Sequence, residues 1–138
     1  MTTLELIGLL LPLTSVPEIL RGQHIVLGVD NVSVVHAWEN KNVKGDITAS
    51  CLVRAMMVIE AFLECKIYVR HVMRMSTRAS QLADALTRDT SATENVWAEI
   101  AEADAYSPPE ILWDWLKEPK TDWQLGFKIV DYLKQRMS

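Results

Sequence analysis

The sequence predicts an α/β domain over residues 1–90 and a helical tail over 91–138. Three observations carry this: two short β-branched runs flank a strongly helical segment, another helical pattern precedes them, and the character of the chain changes near residue 90. Leu4, Ile7, Leu10 and Leu11 recur at helical spacing, which predicts a first helix from about Thr3 to Leu13, ending near Pro12. Pro17, Arg21 and Gly22 then read as a loop. Ile25 to Val29 is an apolar run between a glycine and Asp30-Asn31, which suits a buried strand with Asp30 at its carboxyl end. A helix over Val32 to Trp38 follows, weakened by its valines, and the polar stretch Asn40 to Gly45 breaks it.

The strongest signal comes next. Leu52, Ala55, Met56, Ile59, Phe62 and Leu63 keep the three-and-four spacing of one helix face behind caps at Asp46 or Thr48. Ile67 to Val72 reads as a second strand, Arg74 to Thr77 as a loop, and Arg78 to Thr87 as a short helix. Strand, helix, strand in this order demands a crossover, so the two strands should run parallel. In the tail, Ser107 with Glu110 and Thr121 with Gln124 fit the capping-box pattern, and Pro108 suits a first helical turn. Three tail helices are expected. Four of the five tryptophans fall there, at Trp97, Trp113, Trp115 and Trp123, which suits a helical cap packed on the sheet domain or a docking surface for a partner, and packing within the chain is the expected use of them.

Composition narrows the function classes. The 49% hydrophobic content is enough for a folded core, and 138 residues suffice for one domain with an appendage. The most apolar stretch, Leu4 to Leu13, contains Glu5 and Pro12 and is far short of the roughly 20 apolar residues of a membrane span. An intracellular protein, cytoplasmic or nuclear, with no membrane contact is expected. Cys51 and Cys65 lack disulfide or metal spacing and are expected to be core or boundary thiols. The net charge of -4 argues against a strong autonomous nucleic-acid binder. Charge is nevertheless uneven: Lys66, Arg70, Arg74, Arg78 and Arg88 face a single acid, Asp84, over one stretch. That excess suits either a phosphate backbone or a solvated surface paired with the acidic remainder.

Phosphodiester hydrolysis by paired Mg²⁺ needs several carboxylates converging on one point, because Mg²⁺ takes oxygen ligands and the paired ions sit only about 3.5 to 4 Å apart. Glu5, Asp30 and Asp84 are the candidates, each with an ordinary alternative: a first-turn glutamate, a helix N-cap, and an i,i+4 partner of Arg88. Their order adds weight. The segments LELIGLL, IVLGVDNVSVV and YVRHVMRMSTRASQLADALTR resemble three consecutive blocks of the ribonuclease H domains of retroelement reverse-transcriptase polyproteins. LADALTR is the most specific of them. The separations, 25 residues from Glu5 to Asp30 and 54 from Asp30 to Asp84, agree with the compact retroelement form.

The resemblance implies a ribonuclease H-like fold, a two-metal Mg²⁺ or Mn²⁺ site and endonucleolytic hydrolysis of RNA in an RNA/DNA hybrid. It places Glu5, Asp30 and Asp84 as metal ligands, with His71 assisting protonation or product release. Asn31, Arg70, Arg74, Arg78 and Arg88 take positions along the nucleic acid. The family begins with a three-stranded antiparallel meander whose first strand bears a further aspartate, whereas here only Met1 to Thr3 precede the glutamate helix. The expectation is therefore a fold lacking those N-terminal antiparallel strands, inactive or weak by itself, completed by other parts of a polyprotein, and inclined to self-associate through an open sheet edge. The family's asparagine before the last block is replaced around Ser80 and Gln81, and the loop after His71 is longer than usual. The competing expectation is a catalytically inactive relative that binds nucleic acid or protein.

Overall fold

The computed structural model describes residues 2–72, 108–118 and 123–138. In chain order these form α1 (Thr2–Ser15), α2 (Pro17–Leu20), β1 (His24–Val29), α3 (Val32–Asn40), α4 (Ile47–Leu63), β2 (Lys66–His71), α5 (Glu110–Lys117) and α6 (Gln124–Met137). Among the described residues the protein is a mixed helical structure around a small two-stranded parallel sheet, with a helical C-terminal part. The expected loop at Arg74 to Thr77, the expected helix at Arg78 to Thr87 and the residues around Trp97 lie outside the described residues.

Helix α1 runs past its expected end. Pro12 sits inside it, and the helix continues to Ser15. Proline removes one N–H and its ring crowds the carbonyl of the residue four back, which here belongs to Gly8. Fully buried Leu13 holds the extra turn in the core, and the Thr14 hydroxyl donates to the Leu10 carbonyl at 3.0 Å. Burial outweighs the proline. The segment read as loop holds a single helical turn, α2, with Pro17 at its start.

β1 and β2 pair in parallel, with Ile25 opposite Ile67 and Val29 opposite His71. The crossover between them is α3 and α4, as strand-helix-strand order requires. Asp46 caps α4 by accepting from the Ala49 N–H at 2.9 Å, and the helix ends where Glu64 takes the left-handed conformation at φ 51°. One face of α4 (Leu52, Met56, Ile59, Leu63) is fully buried. It packs on α1 and on α6. The inner sheet face adds Ile25, Ile67 and Val69 to this core, while α5 and α6 add Leu112, Leu125, Ile129 and Leu133. Pro108–Ser138 thus belongs to the same compact unit as the part of the chain up to His71.

The outer edge of β2 is closed by side chains. Lys66 N–H bonds back to Gln23 of the neighbouring segment, so Ile67, one residue on, turns its N–H and carbonyl away from β1. The Glu60 carboxylate accepts from that N–H at 2.7 Å, and the indole N–H of Trp38 donates to that carbonyl at 2.9 Å. Both polar groups are satisfied.

The tail helices start differently from the expected capping boxes. Pro109, not Ser107, stands at the N-cap of α5, and Trp123, not Thr121, at that of α6; neither makes a side-chain cap bond. The tryptophans divide: Trp115 is buried, whereas Trp113 and Trp123 are about half exposed at 49% and 44%. Cys51 is buried, Cys65 is at the boundary, and neither is in a disulfide.

Candidate functional site at the carboxyl edge of the sheet

Parallel strands end on the same side, and in open α/β sheets the crevice beyond those ends is where ligands bind. Here Val29 closes β1 opposite His71, which closes β2, and Asp30 follows Val29 directly. Asp30 and His71 are both exposed. Asn31 then starts α3: its side-chain oxygen accepts from the Ser33 N–H at 2.8 Å, the geometry of an N-cap. Fixing that oxygen aims the other half of the amide elsewhere. The Asn31 Nδ2 donates to Glu5 Oε1 at 3.1 Å, and this bond ties the first turn of α1 to the end of β1 across 26 residues of sequence.

The Asn31–Glu5 bond therefore brings Glu5 of α1 to the carboxyl end of β1, where Asp30 follows the strand, while His71 closes the neighbouring strand β2. The cap role that sequence offered to Asp30 belongs to Asn31, which leaves Asp30 free of that duty. Arg70 lies elsewhere: adjacent strand residues point to opposite faces, and Arg70 turns to the outer face of the sheet, its guanidinium carbon 5.2 Å from the centre of the Tyr68 ring. Asp84, Arg74, Arg78 and Arg88 lie outside the described residues, so the expected closeness of Asp30 and Asp84 does too. Asn31, expected from sequence only along the nucleic acid, is here also the N-cap of α3 and the partner of Glu5. An Asn two residues ahead of a serine at a helix start is the signal that marks the cap.

Glu5 and Asp30 offer hard oxygen donors of the kind Mg²⁺ and Mn²⁺ take. Among the described residues no three of His, Cys, Asp and Glu are grouped closely enough to hold a metal ion. The donor chemistry fits; the described donor set falls short of a complete centre.

Two groups away from this edge have shifted pKa values. Burial lowers the Lys41 ammonium below its usual value, partly offset by Glu60; Lys41 sits in the left-handed C-cap of α3, its nitrogen 3.1 Å from the centre of the Trp38 ring. Burial, helped by Glu60, raises the Cys65 thiol, so it is a poor thiolate. A cavity of about 350 Å³ between α5 and α6, lined in part by Ile111, Trp115, Leu125 and Lys128, contains none of the candidate catalytic, metal-binding or nucleic-acid-binding residues. No helix among the described residues is long and apolar enough to cross a membrane.

No family model, curated protein or solved structure matches this chain.

Proposed function

We propose that this chain is a ribonuclease H-type domain of the retroelement kind, acting on the RNA strand of an RNA/DNA hybrid with Mg²⁺ or Mn²⁺. The observation that carries the reading is the Asn31–Glu5 hydrogen bond, which brings a helix-borne carboxylate to the end of the strand that presents Asp30. The resemblance implies that Glu5 comes to the end of this strand, and a bond to Asn31, the residue after Asp30, supports that.

In this reading Glu5 and Asp30 hold metal together with Asp84. Bound metal lowers the pKa of an attacking water and offsets charge on the phosphate. Asn31 orients Glu5, and exposed His71, at the end of the adjacent strand, moves a proton to the leaving oxygen or eases product away. The outward edge of β1, which pairs with no other strand among the described residues, is where a further strand bearing another carboxylate would lie. The other parts of a reverse-transcriptase polyprotein are the expected source of that strand.

Titrating Mn²⁺ into isotope-labelled protein tests the metal reading apart from activity. Paramagnetic broadening should concentrate at Glu5, Asp30 and Asn31 and vanish in Asp30→Asn. Broadening spread evenly over acidic surface residues would overturn it. For the reaction, the chain alone should cut a labelled hybrid only weakly, and a form extended by an upstream strand segment should cut it well and lose activity in Asp30→Asn or Asp84→Asn. Robust cleavage that survives Asp30→Asn would place the chemistry elsewhere.

The second reading is that of a catalytically inactive relative. In it the domain binds nucleic acid without cutting, and the extended form would hold hybrid but never cleave it at millimolar Mn²⁺.

A further inference from the structure

We propose that the outer face of the β1–β2 sheet is a platform for single-stranded RNA, with Tyr68 as the stacking ring and Lys66 and Arg70 as its phosphate contacts. Strand alternation puts His24, Val26 and Gly28 of β1 and Lys66, Tyr68 and Arg70 of β2 on this face. The register sets them opposite one another as His24 with Lys66, Val26 with Tyr68 and Gly28 with Arg70. Most of the face is exposed: Val26 is 66% exposed, His24, Lys66 and Arg70 are exposed as well, and Tyr68 is half-buried.

An exposed valine alone means nothing, and a lone lysine on a strand is ordinary. The arrangement is what carries the inference. The Tyr68 ring is flanked by the His24 ring at 5.9 Å and by the Arg70 guanidinium at 5.2 Å, so three flat, polarisable groups share one surface. Alternate residues on a strand are about 6.6 to 6.8 Å apart, which sets Lys66 and Arg70 one step to either side of Tyr68. Among the described residues neither cation forms an ion pair with a carboxylate. The six strand positions of the face include no acid, although the chain as a whole carries -4.

Two cations bracketing an aromatic ring match a polyanion with unpaired bases: phosphates reach the cations while a base stacks on the ring. A duplex keeps its base faces covered and gains nothing from Tyr68. The exposed His24 imidazole and the Tyr68 hydroxyl offer hydrogen-bond partners for a ribose 2′-hydroxyl, which favours RNA over DNA. A second copy of the same face is disfavoured, because its cations would oppose their own equivalents. This inference needs no metal and none of the carboxyl-edge residues, so it stands or falls apart from the proposed nuclease activity.

Fluorescence anisotropy of a labelled ten-nucleotide oligouridine, titrated with the full chain in low salt and EDTA, tests it. Saturable binding should persist in EDTA, which separates it from any metal-dependent site, and should be weaker for oligothymidine and for duplex RNA. Tyr68→Ala should weaken binding about tenfold, and Tyr68→Leu, which keeps an apolar strand residue, should do nearly the same, so that loss of fold is not mistaken for loss of stacking. In Lys66→Gln/Arg70→Gln the slope of log affinity against log salt should shrink by about 1.4, at about 0.7 per phosphate contact. No saturable binding, binding unchanged in these variants, or equal affinity for oligothymidine would each overturn the proposal.

Discussion

Asn31 does two things with one amide: its oxygen caps α3 and its nitrogen holds Glu5. Asn31→Ala removes both. Loss of an N-cap costs about 1 kcal/mol and loss of a half-buried bond to a charged group about as much again, so urea unfolding should show a deficit of about 2 kcal/mol. Asn31→Asp keeps the cap acceptor but sets a carboxylate against Glu5, and its deficit should be confined to the second term and shrink in high salt. Glu5 and Asp30 were legible in sequence because helix onset and strand end are written in local patterns. The bond from Asn31 to Glu5 was not, because it depends on how α1 crosses β1, which no local spacing encodes. The same holds for Trp38, whose indole N–H finds the Ile67 carbonyl 29 residues away.

At the scale of elements, α4 was read nearly to its ends, since seventeen residues of consistent periodicity and a strong cap leave little choice. The parallel pairing of β1 with β2 followed from connectivity. The course of α1 through Pro12 did not, because the core contact of Leu13 that sustains it is tertiary. Where α6 meets α4, the deciding residue is Gly126. A Cβ there would lie 3.0 Å from Val58 Cβ and 3.1 Å from Ala55 Cα, the latter a backbone atom that cannot turn aside. Alanine ordinarily gains about 1 kcal/mol over glycine within a helix. Here overpacking of about 1 to 3 kcal/mol should reverse the sign, so Gly126→Ala should lower Tm by several degrees and Gly126→Val by more. A rise in Tm for Gly126→Ala would mean that the two helices separate readily.

For the molecule as a whole, residues far apart in sequence close the structure. The Arg136 guanidinium donates to the Thr14 carbonyl at 3.0 Å and to the Ser15 carbonyl, and lies 3.5 Å from Glu18, so the end of α6 completes the C-terminus of α1. Arg136→Ala should destabilise the fold by about 1 to 2 kcal/mol, measured by urea unfolding. Synthesis on the ribosome gives this clasp a further meaning. The apolar flank of α4 is translated some 60 to 80 residues before its cover in α6 exists, and such non-local closure is slow. Until residue 136 clears the exit tunnel, the nascent chain carries an uncovered greasy helix. Chaperone binding during translation should therefore peak after α4 emerges and fall away only once α6 is free to pack on it.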